Sequence, residues 1–128
     1  MGEPVFLLDS NICIYVLEGL SESARRRIES FAPGQIVTSA VAYAEVMRGL
    51  DRGDVDAVGK AERLFRIIEV LPFDRTAAES YLGIPFKRAS YDRLIAAHAL
   101  ALGLTLVTNN ERDFGAIPGL KVENWAQS

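Results

Sequence analysis

Val5-Phe6-Leu7-Leu8-Asp9-Ser10-Asn11 is the stretch that decides the fold. Four apolar residues in an unbroken run, stopped by an acid, do not alternate as a half-exposed strand would. They read as a short strand buried on both faces, the habit of parallel sheets. Asp9-Ser10-Asn11 then supplies side chains that accept backbone N–H groups at a helix start, and Ile12 to Leu17 continues as a short helix.

The rest of the chain repeats this alternation. Ser21 caps a helix that reaches Phe31 and is broken by Pro33-Gly34. Gln35 to Thr38 is a short strand. Ser39 caps a helix expected to run to about Gly53, with Val41, Ala44, Glu45 and Arg48 on neighbouring turns. Asp54 opens the next helix, where Val58, Ala61, Leu64, Phe65 and Ile68 recur with helical period. Glu69-Val70-Leu71 is a strand ended by Pro72, and Asp74 caps a helix over Arg75 to Leu82. Gly83 to Ala89 is a loop. Ser90 caps a helix from Tyr91 to Leu102, and Gly103 stands where a helix-terminating glycine belongs. Leu104 to Val107 is a strand, Thr108 to Asp113 a polar turn, and Lys121 to Glu123 a last strand before Asn124-Trp125. The pattern predicts one α/β domain over residues 1–128, a central mainly parallel sheet between layers of helices.

With 49% hydrophobic and 24% charged residues, 128 residues suffice for a packed core, which excludes a disordered chain. Fourteen Lys and Arg against seventeen Asp and Glu leave a net charge of −3, which excludes a polybasic binder of nucleic acid or membrane. It does not exclude a nucleic-acid enzyme whose acids are gathered around metal. Cys13 is the single cysteine, so an intrachain disulfide and a cysteine metal cluster are excluded. An unpaired thiol suits a reducing compartment, and a cytoplasmic protein is expected. No Lys or Arg precedes Arg25 and the first apolar run stops at Asp9, so no signal peptide is read. Leu94 to Val107 is too short for a bilayer and is interrupted by His98, Gly103 and Thr105, so no membrane association is expected.

Ligands of parallel α/β sheets sit beyond the carboxyl ends of the strands. Asp9 follows the first strand and Asp113 lies in the turn after the Leu104 strand. Glu45 lies two turns into the helix after the second strand, and Asp92 in the first turn of the Tyr91 helix. Singly, each has an ordinary explanation: a helix cap, a solvated helix position, a first-turn acid favoured by the macrodipole, a turn acid. Together, four carboxylates at one edge repel each other and raise each other's pKa unless a counter-charge joins them. A hard divalent cation is that counter-charge, and oxygen-only donors select Mg²⁺ or Mn²⁺ over zinc. Such a site suits phosphodiester hydrolysis.

Other acid-pocket folds fit less well. A phosphoaspartate receiver wants adjacent acids after its first strand, and a haloacid-type phosphatase a second Asp two residues on, where Asn11 stands. Neither common Gly-rich phosphate loop is present. His98, the one histidine, sits mid-helix among alanines; it cannot form a zinc site alone, and no serine is placed beside it in sequence.

Four ordered blocks carry a resemblance. They are Leu7-Leu8-Asp9-Ser10-Asn11-Ile12-Cys13-Ile14-Tyr15, then Ala44-Glu45-Val46-Met47-Arg48-Gly49-Leu50, then Tyr91-Asp92-Arg93-Leu94-Ile95-Ala96-Ala97-His98-Ala99, then Leu106 to Phe114. With the ending Pro118-Gly119-Leu120-Lys121-Val122-Glu123-Asn124-Trp125, the chain resembles PIN-domain endoribonucleases of the VapC toxin type. The resemblance implies a PIN fold and a Mg²⁺- or Mn²⁺-dependent ribonuclease. Asp9, Glu45 and Asp92 match three of the family's metal-site acids. The fourth stands in family members at the position of Asn110 or of Asp113; here Asp113 carries the charge, with Asn110 as a polar neighbour. Thr108 and Asn11 are expected to hydrogen-bond to the ligands or substrate. Ser10 replaces a commoner Thr, and Pro85-Phe86-Lys87-Arg88-Ala89-Ser90 departs from the commoner pattern at the site's edge.

RNA approaching such a pocket needs cations at its rim. Arg48 and Arg52 near Glu45, Lys87, Arg88 and Arg93 near Asp92, and Arg112 beside Asp113 are the candidates. The resemblance further implies a VapB-type antitoxin, a homodimer and a toxin–antitoxin hetero-oligomer. Ile14, Tyr15, Leu17 and Leu20 are expected to meet the antitoxin, with Phe65 and Ile68 as alternatives. A non-catalytic PIN-like binding protein, and a PIN nuclease outside any toxin pair, are the competing readings.

Overall fold

A computed structural model describes residues 2–88 and 90–126. Ala89, the last residue of the expected loop, and the chain ends Met1, Gln127 and Ser128 lie outside them. In chain order the elements are β1 (Phe6–Leu8), α1 (Ser10–Leu17), α2 (Glu22–Glu29), β2 (Ile36–Ser39), α3 (Ala40–Arg48) and α4 (Val55–Ile67). Then follow β3 (Glu69–Leu71), α5 (Arg75–Tyr81), α6 (Tyr91–Leu102), β4 (Thr105–Val107), a 3₁₀ turn (Glu111–Phe114) and β5 (Val122–Glu123).

The strands form one sheet in the order β3-β2-β1-β4-β5, and every pairing is parallel. Leu7 lies between Val37 and Leu106, and Leu8 between Thr38 and Val107. The central position of β1 explains its continuous apolar run: both of its faces are covered. Leu7, Val37 and Leu106 pack against Ala42 of α3, Ile95, Ala96 and Ala99 of α6, and Phe114. Phe6, Leu8, Ile36 and Val107 face the other way, against Ile12 and Cys13 of α1, Ala24 of α2, Val46 of α3 and Trp125. This is the period-two alternation of a strand, read by two different helical layers. Phe6, Phe31 and Trp125 close the second layer with ring centroids 4.8 to 5.5 Å apart. Helix α3 contributes to both clusters, so it closes the end of the sheet.

Local side chains start the helices as their chemistry predicts. Asp9, Ser21, Ser39, Asp54 and Asp74 each accept a backbone N–H at the head of the helix they precede. Ser90 precedes α6 but its side chain makes no such bond. At the other end of α6, Gly103 takes φ +68°, with its N–H bonded to Leu100 O and the Leu104 N–H to Ala99 O. That is a Schellman ending, which requires the left-handed residue. The helix after β2 ends at Arg48, short of the expected Gly53, because Asp51 forms its own turn: its Oδ1 takes the Gly53 N–H and its carbonyl the Asp54 N–H. The polar turn after β4 winds into a 3₁₀ turn that buries Phe114.

Candidate active site

The strand order descends from β3 to β1 and then passes to β4, and at this switch point between β1 and β4 a parallel sheet opens a crevice beyond its carboxyl ends. Asp9 sits in that crevice, its backbone N–H bonded to Val107 O at 3.0 Å. Only 2% of Asp9 is exposed. One carboxylate oxygen, Oδ1, accepts the Ile12 N–H at 2.9 Å, so the residue does cap α1. The Thr108 hydroxyl also hydrogen-bonds to the Asp9 carboxyl. Burial still pushes its pKa up to about 6, against both hydrogen bonds, and the charges of Asp92 and Glu45 push the same way.

Glu45 is half-buried on the second turn of α3, where Oε1 accepts the Ser10 hydroxyl at 3.0 Å. Its pKa is raised, first by burial and further by the charge of Asp92, while Ser10 opposes. Asp92 lies in the first turn of α6 and is also raised, by burial first and then by Asp113. Lys87 and Arg93 pull it down. Asp113 sits in the 3₁₀ turn with Oδ2 accepting Asn110 Nδ2 at 2.7 Å and facing Lys87 Nζ at 3.7 Å. The four expected acids therefore share one electrostatic neighbourhood: Asp9 feels Asp92 and Glu45, Glu45 feels Asp92, and Asp92 feels Asp113.

The acids do not close on a common point as they stand. Among the described residues no three acids, histidines or cysteines are close enough together to enclose an ion. Ser10 holds Glu45 in place, and Asn110 and Lys87 hold Asp113. The donor chemistry does suit a hard divalent cation: all oxygen, partly buried, with the charges of Asp9, Glu45 and Asp92 each disfavoured by a neighbouring acid. Asp9, Asp92, Glu45 and Asp113 are the residues that could hold one.

Of the expected neighbours, Thr108 is wholly buried and accepts the Asn110 N–H at 3.1 Å. Since a carboxylate only accepts, the Thr108 hydroxyl proton points to Asp9. Asn11 is exposed, and among the described residues no hydrogen bond joins it to an acid. Arg48 lies with Glu45, Ala44, Tyr91 and Leu94 along a cleft of about 660 Å³ between α3 and α6. Arg93 donates to Pro85 O at 3.4 Å, while Arg52, Arg88 and Arg112 are exposed. Arg25 pairs with Glu22 and Glu29, and Arg27 pairs with Glu123 beneath a cation–π contact to Trp125.

Two partnerships have no sequence signal. Ser10 as the holder of Glu45 joins positions 35 apart. His98, beside which the sequence places no serine, has Ser39 Oγ 2.8 Å from its Nδ1, 59 positions away. A nucleophilic triad is still excluded, because Ser39 is wholly buried and its oxygen caps α3.

Comparisons with known proteins agree with this architecture. Residues 6–120 match the PIN domain family. The chain is 32% identical to the tRNA(fMet)-specific endonuclease VapC of Shigella flexneri, over 94% of this chain and 98% of that one. It is 30% identical to Ribonuclease VapC2 of Rickettsia felis, over 94% and 98%. Among solved structures, DNA-bound VapBC from Salmonella typhimurium superposes with a TM-score of 0.83 at 30% identity, covering 95% of this chain and 98% of that one. VapBC2 from Rickettsia felis, bound to a promoter DNA fragment, gives 0.82 at 28% identity, covering 94% and 98%. The parallel five-stranded sheet, the crevice with its four acids and these matches agree: the chain belongs to the PIN-domain family, among its VapC members.

Proposed function

We propose that this chain is the ribonuclease toxin of a VapBC-type toxin–antitoxin pair, hydrolysing RNA phosphodiester bonds at Asp9, Glu45, Asp92 and Asp113. The observation that carries the site assignment is the run of mutual charge effects linking these four acids at the carboxyl edge of β1 and β4. A bound Mg²⁺ or Mn²⁺ would polarise the scissile phosphate and lower the pKa of the attacking water. Asp9 and Asp92 would hold it, with Asp113 and Glu45 completing the donor set. The Glu45 oxygen not engaged by Ser10 would orient the water and take its proton as it adds to phosphorus, while the departing ester oxygen takes up a proton as its bond to phosphorus breaks. Lys87, Arg93 and Arg48 meet the flanking phosphates.

Two relatives at 32% identity are named for cleavage of tRNA(fMet), which makes that tRNA the first substrate to try. Solved relatives include a toxin–antitoxin complex from Klebsiella pneumoniae and VapBC-1 of Haemophilus influenzae, which supports a VapB-type partner here; a homodimer is proposed beside it on the family resemblance alone. Leu20 is exposed, and Ile14 and Leu17 line a cleft of about 360 Å³ with Val46 and Leu50, a surface suited to an apolar antitoxin segment. Among the described residues no helix is long and apolar enough to cross a membrane.

The test is cleavage of tRNA and total RNA by the purified chain. EDTA should stop it and Mg²⁺ or Mn²⁺ restore it. Asp92→Asn should abolish cleavage and growth arrest while far-UV circular dichroism stays unchanged. Cleavage in EDTA, or an active Asp92→Asn chain, overturns the reading.

A further inference from the structure

His98 is 2% exposed in the middle of α6. Burial lowers its pKa below the ordinary 6.5, against the pull of the Asp74 carboxylate, so the ring is neutral at physiological pH. Phe73 packs edge-on against it with centroids 5.4 Å apart. Its Nδ1 lies 2.8 Å from Ser39 Oγ. Ser39 ends β2 and caps α3, its oxygen accepting the Val41 N–H at 3.1 Å. A hydroxyl with one lone pair committed to Val41 still has a proton and a second lone pair, so the bond to Nδ1 forms with either tautomer.

This bond joins the two helices that carry opposing acids. Ser39 stands six residues before Glu45, and His98 six residues after Asp92. At about 1.5 Å rise per residue, each acid is roughly 9 Å along its own helix from the tie. Helix α3 spans only nine residues, and beyond the tie it meets Tyr91 and Leu94 of α6 across a cleft of about 660 Å³. An open cleft does little to stop one helix shifting along the other. A buried, directional bond at the head of α3 does stop it.

We propose that His98 is a positioning residue: through Ser39 it locks α3 against α6 and so sets the separation of Glu45 and Asp92. The proposal rests on the reading of those two as cleavage-site acids. An error of about 1 Å in such a constellation can cost up to about a hundredfold in rate.

The test compares His98→Leu, which keeps apolar volume, with His98→Asn, whose amide places a hydrogen-bonding atom near the position of Nδ1. Mn²⁺ binding to the purified full chain is read by electron paramagnetic resonance, and RNA cleavage is read as kcat and KM. His98→Leu should bind Mn²⁺ about tenfold more weakly and lose about tenfold in kcat, with KM for RNA little changed. His98→Asn should recover most of both. Parental Mn²⁺ binding and kcat in His98→Leu overturns the proposal. So does a His98→Asn chain as defective as His98→Leu, since that assigns the effect to packing. Should His98→Leu not fold, Ser39→Ala against Ser39→Thr asks the same question from the other side, and equal losses overturn it. Asp92→Asn run in parallel separates the two levels. An active Asp92→Asn chain refutes the assignment of the acids, whereas a dead one beside a fully active His98→Leu refutes the tie alone.

Discussion

Replacing Asp9 by Asn should destroy cleavage yet make the metal-free protein more stable at neutral pH. Asp9 titrates near 3.8 in an unfolded chain and at about 6 when folded, chiefly because burial disfavours its charge. The folded state thus holds its proton longer. Stability falls as pH rises from 3.8 to about 6, and the full penalty persists above that window. A tenfold change in an acid constant is about 1.4 kcal/mol, so the ionised carboxylate costs the folded chain about 3 kcal/mol at pH 7.5. Asn keeps an acceptor for the Ile12 N–H but gives the Thr108 hydroxyl an amide instead of a carboxylate, a loss of about 1 kcal/mol. The net gain is about 2 kcal/mol, or roughly 8 °C in Tm for a chain of this size. Thermal unfolding in EDTA, followed by circular dichroism between pH 3.5 and 8, measures it. The variant should be the more stable above pH 6 and lose its advantage below pH 4. Adding Mn²⁺ should stabilise the parent and leave Asp9→Asn unmoved. A gap that does not change with pH, or an Asp9→Asn chain less stable than the parent at pH 7.5, refutes the reasoning.

Thr108→Val removes a hydrogen bond that lowers the Asp9 pKa, so Asp9 should titrate above 6 and the acid limb of Mn²⁺ binding should move to higher pH, read by titrating binding against pH. The Gly103→Ala chain must hold φ +68° with a Cβ that meets nothing within 4 Å, so the loss is conformational alone. About 1 kcal/mol of stability should go, roughly 4 °C in Tm, with cleavage unchanged because Gly103 lies at the end of α6 remote from Asp92.

Much of the fold was legible because its signals are local. The apolar run into Asp9 marks a strand covered on both faces, and five capping side chains, each accepting a backbone N–H two or three residues on, mark helix starts. The end of α3 was not legible, because it depends on which backbone groups Asp51 takes, and a helix continuing to Gly53 satisfies the same apolar period. The four acids were legible as residues of one sheet edge, since parallel strands and the helices between them bring their ends to one side. Their partners were less so. Ser10 holding Glu45 and Ser39 meeting His98 depend on packing between elements far apart in sequence, where composition says nothing. Asn11 shows the converse: a capping position next to the first acid is not itself turned toward the acids, because Asp9 performs the capping.

The fourth acid is where sequence and structure together say more than either. Asn110 and Asp113 read as alternatives for one role, yet the structure joins them. The Asn110 amide donates to Asp113 Oδ2, its backbone N–H donates to Thr108 Oγ1, and the Thr108 hydroxyl donates to Asp9. Hydrogen bonds therefore link the fourth acid to the first through two residues: Asn110 donates from both its amide and its backbone N–H, and Thr108 accepts one bond and donates the other. An Asp at 110 would turn that donor into an acceptor facing Asp113, so charge at one position favours an amide at the other. Asp113 also faces Lys87, whose charge opposes the rise in the Asp92 pKa. On the proposed reading a chain of net charge −3 acts on a polyanion through local arrangement: its acids gather at one edge, with Lys87 beside Asp113 and the charges of Lys87 and Arg93 felt at Asp92.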